Sequence, residues 1–142
     1  MLPAGRLVVL ALSLIVCATA SAEPHTINDA IYSEAQAKIG EQLYTEHCLM
    51  CHDKKYFRPV LKAWDGRSLE VFFTVMSTSM PESNPGALLE KEYVDILAYI
   101  LSLGRYPAGD TELDYKDGVL NAITITNRKS VQPTGPDIKS EI

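Results

Sequence analysis

Cys48-Leu49-Met50-Cys51-His52 is the stretch on which the reading of this 142-residue chain turns. A Cys-x-x-Cys pair alone is compatible with a redox dithiol, a structural disulfide or half of a zinc site. Zinc would require further ligands, yet the other histidines are His25 and His47 and there is no second cysteine pair. A redox dithiol of the thioredoxin type follows a strand in a βαβ unit, whereas the residues before Cys48 read as a helix. The imidazole placed directly after the second thiol turns the pattern toward covalent attachment of a c-type haem.

The chemistry explains the spacing. Cys48 and Cys51 can each add across one vinyl group of the porphyrin, and His52 then stands under the iron as an axial ligand. A second axial ligand is expected from a loop carrying a soft donor. Of the four methionines, Met1 lies at the start of the chain, Met50 lies inside the motif and Met76 falls in an apolar helical run, leaving Met80 in Thr78-Ser79-Met80-Pro81. Thioether opposite imidazole raises the reduction potential and closes the iron to small molecules. Pro59 is a candidate to supply the carbonyl that orients the His52 ring, or is an ordinary turn residue. Trp64 either offers its indole N–H to a haem propionate or packs in the core.

Residues 1–22 read as a cleaved signal peptide, with Arg6 ahead of the apolar run Leu7 to Ala18 and Ala20-Ser21-Ala22 as a small-x-small cleavage site. Val16 before Cys17 argues against a lipid-anchored start, and the run is short for a membrane span. Cleavage removes Cys17, so both remaining thiols belong to the haem motif and none is left for a disulfide. Export to the oxidising side of the inner membrane, the periplasm, fits the place where haem is joined to such thiols. With 13 basic and 18 acidic residues the net charge is −5, and loss of Arg6 makes it −6. That balance excludes a general nucleic-acid binder. It suits either docking to a basic face of a redox partner or plain solubility.

About 120 residues remain, which is one domain. Ser33 with Gln36 reads as a capping-box start to a helix reaching about Thr45, with Ala37, Gly40 and Tyr44 on one face. Gly40 in mid-helix marks either the close approach of another helix or a nearby loop. Ser68 caps a second helix whose apolar residues are Leu69, Phe72, Phe73 and Met76. A third runs from about Glu90 to Leu103, its apolar face including Tyr93, Ile96, Leu97, Ile100 and Leu101 and its end marked by Gly104. Leu89 at its start offers no cap, which predicts fraying there. From Asp110 onward Tyr115, Val119, Leu120, Ile123 and Ile125 form either an extended strap or a short strand near 122–126. Residues 127–142 read as a mobile tail.

Across residues 33–113 the chain resembles the class I c-type cytochromes. It is further similar to the cytochrome partners and domains of periplasmic quinoprotein alcohol dehydrogenases. That likeness rests on Trp64-Asp65-Gly66, Met80-Pro81, Asn84-Pro85-Gly86-Ala87-Leu88, Ile96-Leu97-Ala98-Tyr99-Ile100-Leu101 and Tyr106-Pro107-Ala108-Gly109. Leu89 and Gly104-Arg105, where Asn-Gly is more familiar, depart from it. The resemblance implies an all-α cytochrome c fold, three main helices around one covalent haem c, with an extended C-terminal strap over 114–142. It implies thioethers at Cys48 and Cys51, axial ligation by His52 and Met80, and a crossing of the first and last helices. The function implied is carriage of single electrons, without catalysis, from a quinoprotein dehydrogenase to an oxidase or another cytochrome, with no stable membrane insertion after cleavage. The alternatives are a haem enzyme or ligand-binding haem protein with an open sixth site, and a cytochrome subunit of a larger dehydrogenase complex.

Overall fold

The structure is a computed structural model that describes residues 25–128. The expected signal peptide 1–22, Cys17, and residues 129–142 of the expected tail lie outside the described residues.

Helix α1 spans Glu34–His47, and the Ser33 hydroxyl accepts from the Gln36 N–H at 3.1 Å. The other half of the expected capping box is not built. Instead the Gln36 side chain is fully buried and grips a distant backbone: its amide donates to the Leu113 carbonyl at 3.1 Å and its oxygen accepts from the Leu113 N–H at 2.7 Å. A buried amide needs both kinds of partner, and the returning chain supplies them.

Helix α2, Phe57–Ala63, falls where a loop is expected after His52, although Phe57, Val60, Leu61 and Trp64 stand at helical spacing. Pro59 occupies its first turn, where the missing N–H costs nothing because the first N–H groups of a helix lack intrahelical partners. Helix α3, Leu69–Ser79, starts at Ser68 as expected and buries Leu69, Phe72 and Phe73. Helix α4, Glu90–Leu103, buries Tyr93 through Leu101 without a break. So wide an apolar surface requires neighbours on several sides. The nearest is α1, which crosses it at Gly40: a Cβ there would lie 1.8 Å from the Asp95 carbonyl oxygen. Tyr44 and Tyr99 then meet edge to face, ring centroids 5.3 Å apart.

The first helix of the fold is preceded, and the last followed, by chain that packs into the same core. Strand β1 (His25–Thr26) pairs in parallel with β2 (Ile123–Thr124), His25 opposite Ile123 and Thr26 opposite Thr124. Ile125 then exchanges hydrogen bonds with the 66–67 turn, accepting from Gly66 and donating to Arg67, each at 2.8 Å. A 3-10 turn at Val119–Ala122 sets Leu120 beneath β2. Ile27, Leu120 and Ile125 are completely buried, so the packed unit extends beyond 33–113 on both sides. The C-terminal segment is thus a strap that carries a short strand.

Candidate haem site

Cys48 is the C-cap of α1, its N–H donating to Tyr44. The Cys48 carbonyl then accepts from the N–H groups of both Cys51 (3.1 Å) and His52 (2.9 Å), which closes the motif into one turn. Cys48 is half-buried, Cys51 is exposed and both thiols are free. Burial pushes the Cys48 thiol up to about 11. Its place at a helix C-terminus, the negative end of the macrodipole, acts against a thiolate as well. Reactive dithiols lie at helix N-termini with a depressed pKa, so this geometry disfavours the redox-dithiol reading.

His52 packs against Tyr56 and Phe57, ring centroids 4.3 and 5.7 Å away. Its Nδ1 is buried and has no hydrogen-bond partner. The expected bond from His52 to the Pro59 carbonyl is therefore not made. Pro59 lies in the first turn of α2, and no hydrogen bond joins it to His52. An unsatisfied buried polar nitrogen costs about 1–3 kcal/mol, and no side-chain hydrogen bond joins either nitrogen of His52 to a described residue, so the imidazole is uncommitted. Two free thiols and an uncommitted imidazole in one turn, with a thioether in a separate loop, fit a covalently attached, His/Met-ligated haem. Among the described residues, no group of three or more His, Cys, Asp or Glu is disposed to hold a metal ion.

Met80 is the C-cap of α3, partly buried, at the start of a loop folded on itself by Asn84 N–H to Pro81 (2.9 Å) and Ala87 N–H to Asn84 (3.3 Å). The Met80-Pro81 bond is cis. Trp64 caps α2, packs edge to face on Phe72 at 5.1 Å and lies under the Arg67 guanidinium. Phe72 in turn meets Phe57, so an aromatic chain runs from His52 through Phe57 and Phe72 to Trp64. Trp64 thus packs against the core with one face, and its indole N–H bonds to no described residue.

Two tyrosines join this site to the helix crossing. The Tyr44 hydroxyl, from α1, donates to the His52 carbonyl at 2.6 Å. The Tyr93 hydroxyl, from α4, donates to the Met80 carbonyl at 2.5 Å. Both candidate axial residues are therefore pinned at their backbones by buried side chains of the two crossed helices. In the sequence both tyrosines read as apolar-face residues. The overlooked signal was that a buried phenol seeks an acceptor for its hydroxyl.

Residues 35–100 match the family described as Cytochrome C oxidase, cbb3-type, subunit III. The fold of this chain is that of a cytochrome c. The matched segment begins in α1 and ends in α4, taking in the whole Cys48 to His52 motif and Met80, and it is a little under half of the chain. No curated protein and no solved structure matches. The flanks of the packed unit, including both strands, lie outside the match. Among the described residues no helix is long and apolar enough to cross a membrane.

Proposed function

We propose that the protein is a periplasmic electron carrier with one haem c, joined through Cys48 and Cys51 and held axially by His52 and Met80. The observation that carries this is the closed turn with two free thiols and an imidazole that makes no side-chain hydrogen bond to a described residue. A haem so bound would supply one-electron chemistry at nearly fixed geometry. The chain's share is to hold its two axial side chains in place: Tyr44 and Tyr93 anchor the backbones on which they stand. A carrier needs that rigidity more than it needs any acid or base. The donor is a quinoprotein dehydrogenase, on the likeness of the 64–66, 84–88 and 106–109 segments, and the acceptor is an oxidase or another cytochrome.

An intact mass of the mature protein, exported alongside haem-attachment machinery, should equal the polypeptide from Glu23 plus one haem. A mass equal to the amino acids alone would sink the proposal. Met80→Ala should keep the haem attached and lower the reduction potential markedly in a redox titration, whereas an unchanged potential would remove Met80 from the iron. Rapid carbon monoxide binding by the reduced wild type would favour a ligand-binding haem protein instead.

A second reading has its own support. The matched family is described as an oxidase subunit, and a subunit role would give this domain a stable partner. Size determination on protein purified at native abundance separates the two, since a free carrier runs at the mass of one chain.

A further inference from the structure

We infer that the cleft between α2, the C-terminal turn of α4 and the end of the strap binds a small oxyanion of the phosphate or carboxylate class. Four cationic side chains, Arg58, Lys62, Arg105 and Arg128, line this hollow of about 220 Å³. They converge on a chain whose net charge is −5. Among the described residues none of the four forms a salt bridge, and no carboxylate lines the cleft. The Asp65 carboxylate is engaged by the N–H of Asn127, a lining residue, at 2.7 Å.

The dipole at the end of α4 accounts for part of this gathering. Arg58 Nε donates to the Leu103 carbonyl at 3.0 Å, which is the usual use of a cation at a helix C-terminus. It does not account for Arg105. The helix ends in a Schellman motif, with Arg105 N–H bonded to Ser102 and Tyr106 N–H to Leu101, and Arg105 takes the left-handed position at φ 63°. Glycine or asparagine normally stands there, because a longer side chain is strained. An arginine at that position adds a fourth cation to a cleft lined by three others without a carboxylate, at a cost in both strain and repulsion. Nor does the dipole recruit Arg128, which arrives from the strap after the 66–67 turn has bonded Ile125.

An oxyanion answers both costs. Guanidinium forks bind two acceptor oxygens at once, and Lys62 adds a point charge. The Tyr106 hydroxyl is already committed to the Thr126 carbonyl at 2.9 Å, so the ring forms a wall and is not a donor to the ligand. Arg105, Tyr106, Asn127 and Arg128 all lie outside the matched segment 35–100, which makes the cleft a feature of this chain's flanks.

The test is an amide-resolved NMR titration of the haem-loaded protein with inorganic phosphate, against sodium chloride at matched ionic strength. Saturable shifts are expected at the Arg105, Tyr106 and Asn127 amides. Arg105→Gly suits the left-handed backbone and so keeps the fold; it should weaken binding at least tenfold, and Lys62→Gln should weaken it too. Acetate tested in the same way tells phosphate from carboxylate preference, and saturation by either supports the site. Shifts that chloride reproduces, or that both variants leave unaltered, would overturn it.

Discussion

Two glycines, each pressed against a backbone carbonyl, divide this molecule. Gly40 lies where α1 crosses α4, with room denied by the Asp95 carbonyl. Gly109 lies where the chain leaving α4 passes the N-terminal flank, and a Cβ there would come within 2.3 Å of the Ala30 oxygen. The Gly109 N–H also bonds to Tyr32 at 2.7 Å. Physically the two contacts are alike. In the sequence only the first could be seen, because a glycine inside a helix is destabilising and demands a reason, whereas one in a loop is ordinary.

The same contrast separates the helix crossing from the flanks that wrap it. Breaking the crossing should have the largest effect. Gly40→Ala forces a methyl into a backbone atom that cannot rotate away, so α1 and α4 must separate. A loss of about 3 kcal/mol is expected, at the upper end of overpacking effects. Chemical denaturation of the haem-loaded protein measures it, and a loss below about 1 kcal/mol would mean that the crossing is less tight than the 1.8 Å clash implies.

The flank is tied to the crossing through Gln36. Gln36→Ala removes both bonds to Leu113 and leaves a buried N–H and carbonyl unpaired, which should cost about 2–3 kcal/mol. Protease cleavage within 113–128 should rise with it if the strap is held mainly at that point. Undiminished resistance would instead assign the hold to Leu120, Ile123 and Ile125, which are buried independently of Gln36.

Alkaline pH probes both regions together. Burial pushes the hydroxyls of Tyr32, in the flank, and Tyr44, in the crossing, each up to about 12. An unfolded tyrosine ionises near pH 10, so the folded chain holds these protons more tightly. Their contribution to stability is full below pH ~10 and is lost as pH climbs from about 10 toward 12. Tyrosinate absorbance should therefore show at least two phenols that do not titrate until the protein begins to unfold. Tyr32→Phe and Tyr44→Phe should each flatten that alkaline fall, and the larger change identifies the region that opens first.

How far the sequence could be read follows from where the information lies. The thiol and imidazole spacing, the Ser33 and Ser68 caps and the apolar face of α4 are local patterns, and the observed α1, α3 and α4 start within a residue or two of the places they indicate. Helix α2 carries Phe57, Val60, Leu61 and Trp64 at helical spacing, but over two turns only, and its proline reads as a turn residue until the first-turn position is known. The pairing of His25 with Ile123 joins residues at opposite ends of the described chain, each in a two-residue strand too short to show alternation. Tertiary placement also turned Gln36 from a cap into a clamp, and Tyr93 from core filler into the anchor of the Met80 backbone.

The smallest effect concerns the start of α4, where Leu89 offers no side-chain acceptor and fraying is the expectation from sequence. The structure shows half of a capping box: the Glu92 carboxylate reaches back to the Leu89 N–H at 2.7 Å. One orphan N–H is thus satisfied, and the carboxylate also sits favourably at the positive end of the helix. Glu92→Ala should cost about 0.5–1 kcal/mol and speed hydrogen exchange of the first-turn amides without touching those of Ile96 to Leu101. Exchange that quickens along the whole helix would show instead that α4 opens as one unit, and then the Met80 anchor at Tyr93, one residue beyond Glu92, would loosen with it.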